Sequence, residues 1–131
     1  MDPIYELELE VRDYELDYQG IVNNAVYLNY LEYTRHKFLL SKGIDFCQMH
    51  NEGIDLVISR NEIDYKYSLK SSDRFVVTIS TERAGNVRLV FYQEILKLPE
   101  RKLCIKAKVI GVALKNGRPI RVDDVEGLCD C

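Results

Sequence analysis

The sequence predicts an α+β protein: one long helix lying on an antiparallel sheet of five strands. Three observations predict it. Apolar residues around position 30 recur at helical steps of three and four, as in Tyr27, Leu31, Thr34 and Phe38. Segments on both sides of that stretch alternate apolar and polar residues in the manner of half-buried strands. Short clusters of Ser, Asp, Asn, Gly and Pro separate those segments, as turns do.

In chain order, Tyr5, Leu7, Leu9 and Val11 alternate with Glu6, Glu8, Glu10 and Arg12, which predicts a strand with one wet face. The alternation fails over Asp13 to Gly20, read as a strand end and a loop. Asn23 or Asn24 is placed to cap the helix after it, expected over about Asn24 to Lys42. Leu28, Leu39 and Leu40 flank its apolar stripe, and Glu32, Arg35, His36 and Lys37 occupy the opposite face. Gly43 is the expected stop. A short helical turn is expected around Phe46 to His50. From Leu56 the pattern is β, with Ile63, Tyr65, Tyr67 and Leu69 alternating with Glu62, Asp64 and Lys66. Ser71-Ser72-Asp73 reads as a turn, Phe75 to Glu82 as a strand and Gly85-Asn86 as a hairpin turn. Val87 to Lys97 is a long strand, Pro99-Glu100-Arg101 a loop, and Leu103 to Leu114 the last long strand, ended by Asn116-Gly117. On Val87 to Lys97 both faces are apolar, Val90, Tyr92 and Leu96 against Leu89, Phe91 and Ile95. The sheet is therefore expected to be covered by a second copy, as a homodimer or homotetramer.

At 131 residues the chain is expected to form a single domain spanning 1–131. Apolar residues make up 47% and charged residues 30%, which favours a globular class over disorder. A net charge of −3 argues against a nucleic-acid binder, whose surface is broadly basic. No apolar run approaches the roughly 20 residues that span a bilayer, so no membrane partner is expected. Met1-Asp2-Pro3-Ile4-Tyr5-Glu6 shows no basic segment leading into an apolar one, and a cytoplasmic location is expected. Cys47, Cys104, Cys129 and Cys131 have no zinc-framework spacing. Cys47 and Cys104 are read as packed thiols and Cys129-Asp130-Cys131 as a terminal tail. No metal and no other cofactor is expected.

The segment richest in chemistry is Asp17-Tyr18-Gln19-Gly20-Ile21-Val22-Asn23-Asn24. It sets a carboxylate just ahead of a helix start, with a glycine between them to allow a sharp turn. The first helical turn offers unpaired N–H groups and partial positive charge. A carboxylate beside such donors is equipped to attack a carbonyl, or to activate water against it, while the amides hold the oxyanion. Asp17 alternatively caps its own turn. Asn23 and Asn24 serve equally well as helix caps, and Tyr27, Tyr30 and Tyr33 as core or interface residues. Glu32 and Arg35, three apart, could pair with each other. No GxGxxG, P-loop, HExxH or GxSxG pattern is present.

These residues resemble the hotdog-fold thioesterases, nearest to the 4-hydroxybenzoyl-CoA thioesterase-like branch. That branch carries the pattern found here as Glu15, Asp17, Gly20, Ile21-Val22 and Tyr27. Plant plastid acyl-ACP thioesterases look nearer still, through Val11-Arg12-Asp13-Tyr14-Glu15-Leu16-Asp17, Gly20, Val22-Asn23-Asn24-Ala25-Val26-Tyr27, Arg35-His36, Ser72-Asp73-Arg74-Phe75-Val76-Val77 and Lys97-Leu98-Pro99. Many bacterial members carry Asp where this chain has Glu15, and aromatic residues or His where it has Asn23-Asn24. The resemblance covers about residues 5 to 122. It implies a hotdog fold, a sheet wrapped around one helix, and composite active sites between subunits.

It also implies an acyl thioesterase that releases free acid and thiol from an acyl-CoA or an acyl carrier protein. Asp17 would be the catalytic carboxylate, with Gly20 and Asn24 completing the catalytic set. Asn23 and Tyr27 are expected on the substrate, and Arg60, Arg83 and Arg88 on the phosphates of its handle. Two other readings are a hydratase or dehydratase of acyl thioesters and a non-catalytic thioester-binding module. The first needs a His as acid or base, and neither His36 nor His50 lies in the Asp17 loop.

Overall fold

Alternation in the first strand is realised residue by residue. In β1 (Tyr5–Glu10) the tyrosine and leucines are half-buried and the three glutamates exposed. The computed structural model describes residues 2–122 and Val125. After β1 come a 3-10 turn (Asp13–Glu15), α1 (Asn24–Ser41), α2 (Phe46–Asn51), β2 (Ile54–Tyr65), β3 (Arg74–Ala84), β4 (Arg88–Lys97), β5 (Lys102–Lys115) and the two-residue β6 (Arg118–Pro119). Cys129-Asp130-Cys131 lies outside the described residues.

The strands form one antiparallel sheet in the order β1-β3-β4-β5-β2, with β6 added beside β5. β1 and β2 are consecutive strands yet occupy opposite edges. The chain between them must cross the sheet, and α1 does so, covering one face. Its 18 residues are about 27 Å long. Leu31, Phe38 and Leu39 of α1 meet Phe75, Val77 and Ile79 of β3, Leu89, Phe91 and Ile95 of β4, and Ile105 and Val109 of β5 in one buried cluster. Tyr30 packs on Phe75 at 4.7 Å between ring centres and Tyr5 on Phe38 at 5.5 Å. Each such side chain contributes roughly 1.5–3 kcal/mol by leaving water. The α+β expectation, a five-stranded sheet around one helix, holds; β6 is an addition.

Four expectations change. β2 begins at Ile54 and ends at Tyr65, so Lys66 to Lys70 is not strand but the connection into β3. Cys104 is buried as expected, whereas Cys47 is exposed. The middle of the sheet's outer face is polar, because Thr78, Glu94 and Lys106 stand in one row and Ser80, Tyr92 and Lys108 in the next. Three of the exposed apolar side chains, Val57, Ile58 and Tyr65, lie on the edge strand β2.

The fourth change is Arg35, placed with the charged residues of the wet face but only 8% exposed. It does not pair with Glu32. Its guanidinium donates to Gln93 Oε1 at 2.9 Å, and Gln93 in turn donates to the Leu31 carbonyl at 3.1 Å. Burial pulls the Arg35 pKa down to about 10, with nearby Glu32 opposing the shift. Glu32 sits instead 3.9 Å from His36 Nε2.

Candidate active site

The Asp17 loop is a tight hairpin. Leu16 bridges to Val22, the Asp17 N–H donates to the Ile21 carbonyl at 2.8 Å, and the Gly20 N–H donates to the Asp17 carbonyl at 3.1 Å. Gly20 adopts φ +78°, a left-handed conformation that costs glycine little and other residues more. A Cβ built there would meet no protein atom within 4 Å, so within the protein itself it is the turn that requires the glycine. Asp17 is half-buried. Its Oδ1 accepts the Gln19 N–H at 2.8 Å, so it does cap its own turn. The other carboxylate oxygen has no donor among the described residues.

The hairpin is tied to the helix start and to the β2–β3 connection. Val22 donates to the Leu69 carbonyl at 2.9 Å, Asn23 donates to the Glu15 carbonyl at 3.0 Å, and Ile21 bridges to Lys70. Glu15 holds the outer side. Its Oε1 accepts from Tyr30 OH at 2.8 Å and from the Arg12 N–H at 2.8 Å. Burial and that carboxylate push the Tyr30 phenol well above its usual range.

Asn23 is the cap of α1. Its Oδ1 accepts the Ala25 N–H at 2.9 Å, and its carbonyl accepts the Val26 N–H at 2.9 Å. The Asn24 N–H has no acceptor among the described residues. Tyr27, 2% exposed, accepts the Leu69 N–H on its hydroxyl at 3.0 Å. Burial raises its pKa, and the charge of Asp17 adds to the rise, which sets the carboxylate within electrostatic reach of this phenol.

Beside the helix start lies a cavity of about 380 Å³, lined by Asn24, Tyr27, Tyr65, Lys66, Tyr67, Ser68 and Lys70. Tyr65 donates to the Asn24 carbonyl at 3.4 Å, and its ring stands 5.8 Å from that of Tyr27. Lys102 Nζ lies 3.6 Å over the Tyr67 ring and Lys97 Nζ 5.6 Å over it. The structure therefore groups Asn24 and Tyr27 at the cavity and Asp17, Gly20 and Asn23 on the hairpin and cap next to it.

The three arginines expected on the substrate handle are elsewhere. Arg60 is 3.6 Å from Glu62 on β2, five residues or about 17 Å of strand from Tyr65. Arg83 and Arg88 flank the β3–β4 hairpin at the other end of the sheet, Arg88 paired in register with Ala84. The cations near the cavity are Lys66, Lys70, Lys97 and Lys102, which periodicity did not single out. The signal for Lys66 and Lys70 was a lysine-rich approach to the turn before β3, hidden by reading residues 66–69 as strand, whereas Lys97 and Lys102 flank the connection between β4 and β5. His36 packs on Phe46 at 4.6 Å, and His50 Nδ1 is 2.8 Å from Asp55 Oδ1. Among the described residues no group of three or more His, Cys, Asp or Glu is arranged to hold a metal ion. None of the described helices is long and apolar enough to cross a membrane.

The family described as the thioesterase-like superfamily matches residues 11–125 of this chain, from the end of β1 to the last described residue. A chloroplastic acyl-acyl carrier protein thioesterase of Arabidopsis thaliana is 42% identical over 93% of the chain. A second from the same plant is 44% identical over 90% of it. The chain spans 65% and 63% of the length of these two relatives. Among solved structures, a 1,4-dihydroxy-2-naphthoyl-CoA thioesterase from Synechocystis superposes with a TM-score of 0.88 over 96% of both chains. At 18% identity that likeness shows the hotdog fold alone.

Proposed function

The chain belongs to the thioesterase-like superfamily, and from that premise we propose that it hydrolyses an acyl-CoA or acyl carrier protein thioester to free acid and thiol. One observation carries the reading. The amide of Asn24, without an acceptor among the described residues, stands at the mouth of a cavity at the helix start, beside the Asp17 hairpin. A thioester carbonyl at that amide would have its developing oxyanion held by a fixed donor and by the helix dipole. Such a donor is worth about 3–4 kcal/mol in a comparable hole.

Asp17 then acts through the carboxylate oxygen that the Gln19 amide does not occupy. In one route it attacks the acyl carbon, the C–S bond breaks, the thiolate leaves and takes a proton, and water opens the resulting anhydride. In the other it removes a proton from a water that attacks directly. Both routes consume one water and yield acid and thiol. A hydratase is not favoured, since neither His36 nor His50 reaches the hairpin.

Two copies are part of this proposal. β1, one edge of the sheet, is guarded by glutamates, of which Glu8 pairs with Arg74 and Glu6 with Arg101. β2, the other edge, is twelve residues long and carries exposed Val57, Ile58 and Tyr65. A sheet edge with unpaired backbone groups is a template for another strand. A second β2 running antiparallel would extend the sheet and close the cavity from the partner's side. The same reading treats the 131 residues as one catalytic domain with no cofactor. It keeps a cytoplasmic location as a proposal, set against relatives named chloroplastic and tested by imaging a tagged full-length chain in its own cells.

The deciding assay measures thiol release from acyl-CoA and acyl carrier protein thioesters of graded length. Turnover above the uncatalysed rate on either supports the reading, and none on any substrate defeats it.

A further inference from the structure

We infer that Arg35 and the cavity it lines form a distal acyl subsite, which favours thioesters whose acyl chain bears a hydrogen-bond-accepting oxygen about eight carbons from the carbonyl. This rests on the thioesterase reading and adds a substrate class to it.

Arg35 carries five N–H donors that are never given up at physiological pH. The structure satisfies part of this group with one neutral partner, the Gln93 amide at 2.9 Å, and among the described residues no carboxylate is hydrogen-bonded to it. The side chain is 8% exposed, and the opening it faces is a cavity of about 180 Å³. Leu39, Phe46, Leu56, Ile58 and Phe91 make that cavity apolar, while Glu32 and His36 stand at its rim. The guanidinium donors not taken by Gln93 open onto this lining and can give an oxygen that reaches them a charge-assisted hydrogen bond. The Glu32 side chain is 58% exposed, so the rim carboxylate keeps its own solvent.

The position fits an acyl chain anchored at Asn24. β2 runs antiparallel beside α1, with Tyr65 against Asn24 and Tyr27, and with Leu56 and Ile58 around the Arg35 cavity. The two cavities therefore lie along one seam. Arg35 reaches back toward the start of its helix, as helical side chains do, and its link through Gln93 sets the guanidinium level with Leu31. From Asn24 to Leu31 is seven residues, or about 10 Å of helix. An extended chain of ~1.5 Å carbon–carbon bonds advances about 1.25 Å per carbon, so 10 Å corresponds to about eight carbons.

The test compares octanoyl-CoA with 8-hydroxyoctanoyl-CoA and with the eight-carbon CoA thioester ending in a carboxylate. It adds the uncleavable octyl and 8-hydroxyoctyl thioethers of CoA, titrated by calorimetry. Wild type should favour at least one oxygenated thioester by about tenfold in kcat/KM and bind the hydroxylated thioether about tenfold tighter, as a charge-assisted hydrogen bond allows. In Arg35→Met both ratios should fall to about one, and Arg35→Lys should restore part of them. Wild-type ratios near one, in turnover and in binding, would overturn the inference without recourse to any variant; so would ratios unchanged in a folded Arg35→Met. Absence of turnover with the thioether discrimination intact would instead strike at the thioesterase reading and leave the subsite standing.

Discussion

Among the described residues, α1 presents at its first turn an amide without an acceptor and stands beside a half-buried carboxylate; two turns further on, a buried guanidinium is hydrogen-bonded by a single neutral amide. The first region is open, built from a loop, a cap and a strand connection. The second is enclosed by helix and sheet. Polar groups at a solvent-facing helix start cost little stability, because water serves whatever the chain leaves unpaired. Polar groups between helix and sheet are held at a cost, and each partner removed exposes that cost. Substitutions at the two regions should therefore separate activity from stability.

Asp17→Asn should show the largest effect on activity. It keeps an oxygen for the Gln19 amide and so keeps the turn, but removes the charge that attacks or deprotonates. Thiol release should fall at least about 100-fold, while the circular dichroism spectrum and thermal midpoint stay close to wild type. A variant with wild-type turnover would erase the distinction between the two regions. Gln93→Leu should do the reverse. It strands the Arg35 guanidinium, while the Leu31 carbonyl keeps its helical partner, and the loss in chemical denaturation should be about 2–4 kcal/mol. A change below about 0.5 kcal/mol would mean that water already reaches this guanidinium freely.

How these regions read in the sequence differs for the same physical reason. Asp17, Gly20, Asn23 and Asn24 were legible because a turn, a cap and a helix start are local: each residue type answers to backbone within a few positions of itself. The strands were legible through alternation, and Tyr5–Glu10 matches it throughout. Arg35 was misread because its charge was weighed above its spacing, which sets it four residues from Leu31 and Leu39 and three from Phe38, on the buried stripe. Its partner Gln93 lies 58 residues away on β4. Lys66 and Lys70 were missed through a boundary. β2 stops at Tyr65, and the connection into β3 turns so that Leu69 pairs with Tyr27 and Val22, contacts that no periodicity announces. Val90 is buried as both-sided alternation predicts, but the polar middle rows of the outer face were not legible in β4 read alone, without Thr78, Lys106 and Lys108 beside it.

Asn23→Ala should fall between the two regions. Its side chain satisfies the Ala25 amide, and the loss of a cap costs about 1 kcal/mol. The freed amide lies next to that of Asn24, so activity should drop less than tenfold as the helix start frays. A loss as deep as that of Asp17→Asn, at unchanged stability, would make Asn23 a substrate contact rather than a cap.

Arg88→Ala should have the smallest effect, and it bears on the assembly. Within one protomer Arg88 is paired in register with Val112, whereas Tyr65 at the cavity is paired with Ile105. Seven residues of β5 separate these levels, about 23 Å in an extended strand. A lone protomer thus gives Arg88 no route to a substrate at its own cavity. Antiparallel pairing of two β2 edges about their midpoints changes that, because it lays the Ile54 end of one strand beside the Tyr65 end of the other. Val57 is paired with Val112, which in turn is paired with Arg88, so the partner's copy of this end approaches the cavity from across the interface. In such a dimer Arg88→Ala should raise KM for a CoA thioester a few-fold and leave kcat nearly unchanged. The phosphates of the handle are remote from the reacting carbonyl and are bound equally before and during reaction. The same variant should leave a short thioester without the nucleotide unaffected. Adding Ile58→Lys, which sets a charge on the pairing edge, should lower the mass measured by light scattering toward 15.3 kDa and abolish the contribution of Arg88. Equal KM values for wild type and Arg88→Ala in a confirmed dimer would remove this arginine from the handle and leave Lys66, Lys70, Lys97 and Lys102 as the cations to test.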